Sequence, residues 1–295
     1  MVAIPETPAR TRYGFETVDG IRVFHREAGV PQARAVVLLH GFPASSYMYR
    51  ELLTSLGDEF YLVAPDYPGF GSSDFPSQAD YQYTFSNLTN TIESFLLQKQ
   101  ITEWVLAVHD YGAPIGLRLA TRYPEKTKGL IVMNGNIHEE GFHPENSALF
   151  RSYWDGRTEK KEAALASQLM SLEGVRWQYT EGTRNPAAIN PDNWVLDVAR
   201  LRRPGQRRMQ LDLVYDYNKN VALYPRWQAF LKEWQPPTLI TWGARDPIFP
   251  AAGAHAYTQH LANPALHLFE TGHFVLEEDA PRVTPLIRKF LRRVS

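Results

Sequence analysis

The 295-residue sequence has no cysteine, which excludes disulfides, a thiolate nucleophile and any cysteine-ligated metal. It has almost no net charge, −1 from 31 basic and 32 acidic residues. Composition therefore offers no basis for nucleic acid or an anionic membrane as a partner. No apolar run approaches the length of a membrane span, and no segment repeats. The start, Met1 to Tyr13, is interrupted by Pro5 and Pro8 and lacks an apolar core. It does not read as a signal peptide, and a cytoplasmic protein is expected. What is present is ordinary for a globular chain: 44% hydrophobic and 21% charged residues, enough for one large domain or a domain with an insertion.

Gly14 to Glu27 reads as a hairpin around the turn pair Asp19-Gly20. Apolar strand-like runs then alternate with amphipathic helical stretches: Ala35 to Leu39, a helix from Ser45 or Ser46 to Leu56, Phe60 to Ala64, a helix over Phe85 to Gln100, Val105 to Val108, and Gly129 to Met133. Such alternation implies a parallel sheet with helices on both faces. From Asn136 to about Tyr224 there are helical segments and many aromatic residues but no clear strand, the pattern of an inserted helical cap. Alternation resumes with Pro237 to Trp242, a helix over Ala251 to Leu261, and Ala265 to Glu270. In the last helix Val283, Leu286, Ile287, Phe290 and Leu291 fall on one face. The expected architecture is α/β: a core of residues 1–135 and 226–295 with a cap of 136–225.

The stretch Val105 to Pro114 carries the chemistry. A buried strand stops at Asp110, and a helix rich in small residues begins at Gly112, with Pro114 in its first turn. Strand, sharp turn and helix hold a side chain exposed above the end of a sheet, the setting of a nucleophile elbow. An aspartate there is already ionised at neutral pH, and the helix N-terminus favours its anionic form. A carboxylate can displace a leaving group from a saturated carbon and remain as an alkyl ester, whereas acyl transfer would yield an anhydride. Halides and strained ethers are the matching electrophiles. Asp110 read alone is equally a helix N-cap.

Two more loops leave sheet strands with ionisable residues: Trp242 to Pro247, holding Asp246, and Glu270 to Phe274, holding His273. Loops at the carboxyl ends of a parallel sheet converge on one crevice, so Asp110, Asp246 and His273 are expected to meet there in the order nucleophile, acid, histidine. His273 would deprotonate the water that cleaves the ester, and Asp246 would orient the imidazole. The backbone N–H groups of Phe42 and Tyr111 would form an oxyanion hole. Each residue alone also has a plain reading: His273 and His40 as loop histidines, Asp246 as a turn residue before proline. No metal or cofactor is required, and the expected partners are a small apolar electrophile and water.

With these motifs in view the chain resembles an α/β-hydrolase of the epoxide hydrolase and haloalkane dehalogenase branch. The resemblance is carried by His40-Gly41-Phe42-Pro43, the loop Asp66 to Asp74, His109-Asp110-Tyr111-Gly112-Ala113, Gly243 to Asp246 and Gly272-His273-Phe274. It implies a choice of leaving-group donors. Epoxide hydrolases of this type use two cap tyrosines, and Tyr153 and Tyr215 match those regions best, with Tyr217 as a rival. Dehalogenases cradle halide with N–H donors, normally a Trp directly after the nucleophile and often an Asn after His-Gly. Here those positions hold Tyr111 and Phe42, although Trp154 could donate instead. Fluoroacetate-type dehalogenases clamp a carboxylate with arginines just after the nucleophile, where this chain has Tyr111 and Pro114. The cap arginines 200, 202, 203, 207 and 208 read as a solvated face. The expected activity is hydrolysis of an epoxide to a vicinal diol, with carbon–halogen hydrolysis as the alternative and a non-catalytic binding protein on the same scaffold as a third. His40, Trp154 and Tyr217 are expected to line the substrate site.

Overall fold

The computed structural model describes residues 10–32 and 34–294; most of the Met1 to Tyr13 stretch lies outside them. Eight strands form one sheet: β1 (Arg12–Val18), β2 (Ile21–Ala28), β3 (Arg34–Leu39), β4 (Leu62–Pro65), β5 (Glu103–His109), β6 (Thr127–Met133), β7 (Thr238–Gly243) and β8 (Ala265–Phe269). Their order across the sheet is β1-β2-β4-β3-β5-β6-β7-β8. The first two joints are antiparallel, β1 with β2 and β2 with β4, and every later one is parallel. The hairpin turns at Asp19 and Gly20, both at positive φ. The central strands are apolar on both faces because helices cover both; Val105 to His109 of β5 are all buried.

The helices are α1 (Arg50–Leu56), α2 (Phe85–Gln98), α3 (Gly112–Arg122), α4 (Ala148–Asp155), α5 (Glu159–Met170), α6 (Leu172–Thr180), α7 (Asp192–Leu201), α8 (Gln206–Asp216), α9 (Asn218–Trp234), α10 (Ala251–Ala256) and α11 (Val275–Val294). α3 lies against the sheet because its first residue has no side chain: a Cβ on Gly112 would sit 2.0 Å from the carbonyl oxygen of Leu39. In α11 Val283, Ile287, Phe290 and Leu291 are buried and Leu286 packs at the edge. That helix kinks at Asp279, two residues before Pro281, as a proline inside a helix requires. Among the described residues no helix is long and apolar enough to cross a membrane.

Helices α4 to α9 fill the interval between β6 and β7. The expected boundary at residue 225 falls inside α9, which continues through Pro225. The arginine cluster is not simply a solvated face. Arg200 donates to the Ser45 hydroxyl at 3.0 Å and Arg203 to the carbonyl of Gly69 at 3.0 Å, so these two pin the inserted helices to loops at the carboxyl end of the sheet.

Candidate active site

Asp110 follows β5 directly and precedes α3, with φ +48°, a left-handed conformation that costs a non-glycine residue about 1 kcal/mol or more. Gly41 makes its position possible. A Cβ there would lie 2.3 Å from the Cβ of Asp110, so only glycine lets the β3 loop approach so closely. That approach brings the Phe42 backbone N–H to Oδ1 of Asp110 at 2.6 Å, and the Tyr111 backbone also donates to the carboxylate. Burial raises the pKa of Asp110, while His273 and the two backbone donors pull against it.

His273 sits in the loop after β8, fully buried. Its Nδ1 is 2.7 Å from Oδ2 of Asp246, and its Nε2 is 4.0 Å from Oδ2 of Asp110 with no hydrogen-bond partner among the described residues. Burial alone would lower the pKa of His273. The adjacent Asp246, with Asp110 adding, outweighs it and the pKa is raised. Asp246 is held on every side: Oδ1 accepts from the backbones of Ile248 at 2.7 Å and Phe249 at 3.1 Å, and Oδ2 from the Asn134 amide at 2.7 Å. The expected Asp110, Asp246 and His273 are thus together, with the Phe42 and Tyr111 amides beside them.

Asn134 is a residue the sequence reading missed. It directly follows β6 at φ +45°, and its amide oxygen also accepts from the N–H of Gly243 at 3.1 Å, tying the end of β6 to the loop that holds Asp246. Asparagine tolerates this conformation better than other non-glycine residues; Asn134-Gly135 after an apolar strand was its available signal.

Above the carboxylate lies a cavity of about 700 Å³, counting its mouth. Asp110 is the only charged residue in its lining among the described residues. Phe42, Tyr111, Phe142, Trp154, Tyr217 and Phe249 form much of the wall. Of the expected substrate contacts, Trp154 and Tyr217 are here, ring against ring at 6.0 Å and 5°. Three others are elsewhere. Tyr153 and Tyr215 pack on each other at 5.6 Å, both under the Arg157 guanidinium. The Tyr153 hydroxyl donates to Glu162 at 3.0 Å. Helical phase is the reason: adjacent residues on a helix point about 100° apart, so the inward positions at these two places are 154 and 217. His40 lies beneath the site, stacked on Tyr67 at 4.1 Å with Nδ1 at 2.9 Å from the Gly41 carbonyl. Burial drives its pKa down to about 4, so it is a neutral structural group and does not line the cavity.

The indole N–H of Trp154 is already committed, donating to the carbonyl of Val214 at 2.7 Å. The hydroxyl of Tyr217 lies 3.3 Å from that of Tyr224.

The geometry is that of a buried carboxylate facing a buried His-Asp pair at the mouths of parallel strands, and a family model described as alpha/beta hydrolase fold matches residues 34–280. The chain belongs to the α/β-hydrolase family. It is 37% identical over 262 residues to an uncharacterized hydrolase of Saccharomyces cerevisiae, YNR064C, covering 88% of this chain and 89% of that one. It is 30% identical over 277 residues to a cis-3-alkyl-4-alkyloxetan-2-one decarboxylase of Shewanella oneidensis, covering 88% and 82%. The crystal structure of Cfl2 from Burkholderia cenocepacia superposes with a TM-score of 0.79 at 26% identity, covering 97% of each chain. A haloalkane dehalogenase of Mycolicibacterium paratuberculosis and mouse epoxide hydrolase 3 are also similar, at 28% and 23% identity over 90% and 93% of this hydrolase. It lies in the epoxide hydrolase and haloalkane dehalogenase branch.

Proposed function

We propose that this hydrolase opens small, uncharged, strained oxygen rings, epoxides above all, through a covalent ester on Asp110, and releases vicinal diols. One observation carries the reading: the carboxylate of Asp110 faces an apolar cavity with one oxygen 2.6 Å from the Phe42 N–H and the other 4.0 Å from Nε2 of His273. A carboxylate so placed can attack a ring carbon from the cavity side. The carbon–oxygen bond breaks, and the departing oxygen takes its proton from Tyr217. His273, neutral and held by Asp246, then removes a proton from water, which adds to the carboxyl carbon of Asp110. Charge builds on Oδ1, against the Phe42 and Tyr111 N–H groups. Collapse expels the alcohol, protonated by His273, and the acid proton left on Asp110 restores Tyr217. In this scheme α4 to α9 act as the cap.

The choice of an oxygen over a halide leaving group rests on the donors. The Trp154 N–H is spent on Val214, and Phe42 has no side-chain donor to offer. A phenol suits a departing oxygen, which must end protonated; a halide leaves as an anion. The relative named for an oxetanone, another strained oxygen ring, fits the same preference.

The test is a His273→Gln variant incubated with a terminal epoxide, followed by mass spectrometry of the Asp110 peptide. A gain equal to the whole epoxide is expected. A gain of only the alkyl group from a bromoalkane, with no adduct from epoxides, would move the assignment to carbon–halogen hydrolysis. In the wild type, single turnover in 18O-water should place the label in Asp110. Label going directly into the diol with Asp110 unlabelled would sink the ester mechanism.

A further inference from the structure

Tyr224, deep in α9, has no part in the scheme so far. Its ring is fixed between Phe142 (6.2 Å, 18°) and Trp227 (5.7 Å), and it is only 2% exposed. Its hydroxyl has one hydrogen-bond partner among the described residues, the hydroxyl of Tyr217 at 3.3 Å. Tyr217 is just as firmly held, stacked on Trp154 and edge-on to Phe85 at 5.5 Å, but it lines the cavity.

Two phenols sharing one contact must settle which donates. A buried hydroxyl hydrogen without an acceptor costs about 1–3 kcal/mol. Tyr224 has no other acceptor among the described residues, while Tyr217, which lines the cavity, can turn its hydrogen toward a ligand. The lower-cost arrangement therefore has Tyr224 donating to the oxygen of Tyr217, with the hydrogen of Tyr217 aimed at the substrate.

We infer that Tyr224 is a positioning residue for ring opening: it sets the direction of the Tyr217 hydroxyl and stabilises the tyrosinate left when Tyr217 gives its proton to the departing oxygen. The inference rests on the ester mechanism proposed above. Chains of hydrogen bonds strengthen one another in a site of low dielectric, so the donation matters most when charge develops on Tyr217. The same direction appears in its acidity, because burial raises the pKa of Tyr217 and the bond from Tyr224 lowers it. The role is confined to the first half-reaction, since Tyr224 is remote in function from the water that His273 activates.

The experiment is a double-mutant cycle on the rate of ester formation, read by rapid quench and mass of the Asp110 peptide, for wild type, Tyr217→Phe, Tyr224→Phe and the double variant. Phenylalanine keeps both ring stacks. Tyr224→Phe should slow ester formation about tenfold, the size expected for one hydrogen bond to a group becoming charged. The rate of ester hydrolysis should be unchanged. In the Tyr217→Phe background the second substitution should have no further effect. Additive losses, or equal slowing of both half-reactions, would make Tyr224 a packing residue and overturn the inference. A Tyr217→Phe variant that forms ester at the wild-type rate would overturn it too while leaving the ester on Asp110 intact. Absence of any Asp110 adduct in the wild type would instead bring down the underlying mechanism.

Discussion

Two of the inserted helices, α6 and α7, are tied to each other by a carboxylate whose ionisation works against folding. Asp197, on α7, is buried and accepts from the Tyr179 hydroxyl at 2.7 Å and from Arg200 at 3.4 Å. Burial pushes its pKa up to about 7, with Glu277 adding; Tyr179 and Arg200 offset only part of that. In the unfolded chain its pKa is the ordinary 3.8. A carboxylate raised on folding binds its proton more tightly in the native state. The contribution of this group to stability is then greatest below about pH 4, falls as pH rises toward about 7, and flattens above. Integrating the linkage relation between about pH 5 and about pH 8 gives a loss of about 3 kcal/mol. Asp197→Asn keeps the shape and removes the charge. Urea unfolding of both proteins at the two pH values should show the variant gaining on the wild type by about that amount as pH rises. Parallel pH dependences would refute the reasoning, since they would mean that Asp197 titrates no differently in the two states. Tyr179 stacks on Phe274 at 4.0 Å, next to His273, so the same titration bears on the floor of the site.

The two half-reactions should part company with pH. Ester formation needs ionised Asp110, whose pKa is raised by burial, so its rate should fall on acidification at a pH above the ordinary carboxylate range; ester hydrolysis needs neutral His273, whose pKa is raised, so its rate should climb through a midpoint above 6.5. Stopped-flow pH profiles of each step check this, and a hydrolysis midpoint below the ordinary histidine value would contradict it. Trp154→Phe should lower stability by about 1–2 kcal/mol through loss of the bond to Val214, measured by urea melts. It should leave any bromide release unaltered, and a tenfold fall in bromide release would show that the indole serves the leaving group instead.

How far the site could be read in advance follows from what fixes each residue. Asp110, Asp246 and His273 each stand one to four residues beyond a sheet strand, and strands of a parallel sheet deliver their ends to one edge. Recognising the strands was therefore enough to bring these residues together. The Phe42 amide is legible for the same reason, with His40-Gly41 marking the turn. Residues on the inserted helices obey another rule. Their orientation depends on helical phase and on how each helix lies over the core, and the sequence window records neither. An error of one residue on α4, or of two at the α8–α9 junction, exchanges a side chain in the cavity for one packed under Arg157, as it did for Tyr153 and Tyr215. Arg200 and Arg203 were misread similarly: a run of cations looks solvated until the Ser45 and Gly69 loops are known to lie beneath it.

Asn134 and Tyr224 mark a further class, residues with no chemistry of their own that determine what a neighbour can do. Asn134 spends one amide atom on Asp246 and the other on the backbone of Gly243, so the carboxylate beside His273 is fixed by a residue 112 positions away in the sequence. Such a group carries no motif because its value lies in satisfying two particular partners at once. A buried amide with half its bonds made is worse than an apolar side chain, and its usefulness appears only when both partners are in place. Family membership and the residues that gather at the strand ends can thus be read along the chain, whereas the groups that hold them in place are a property of the fold alone.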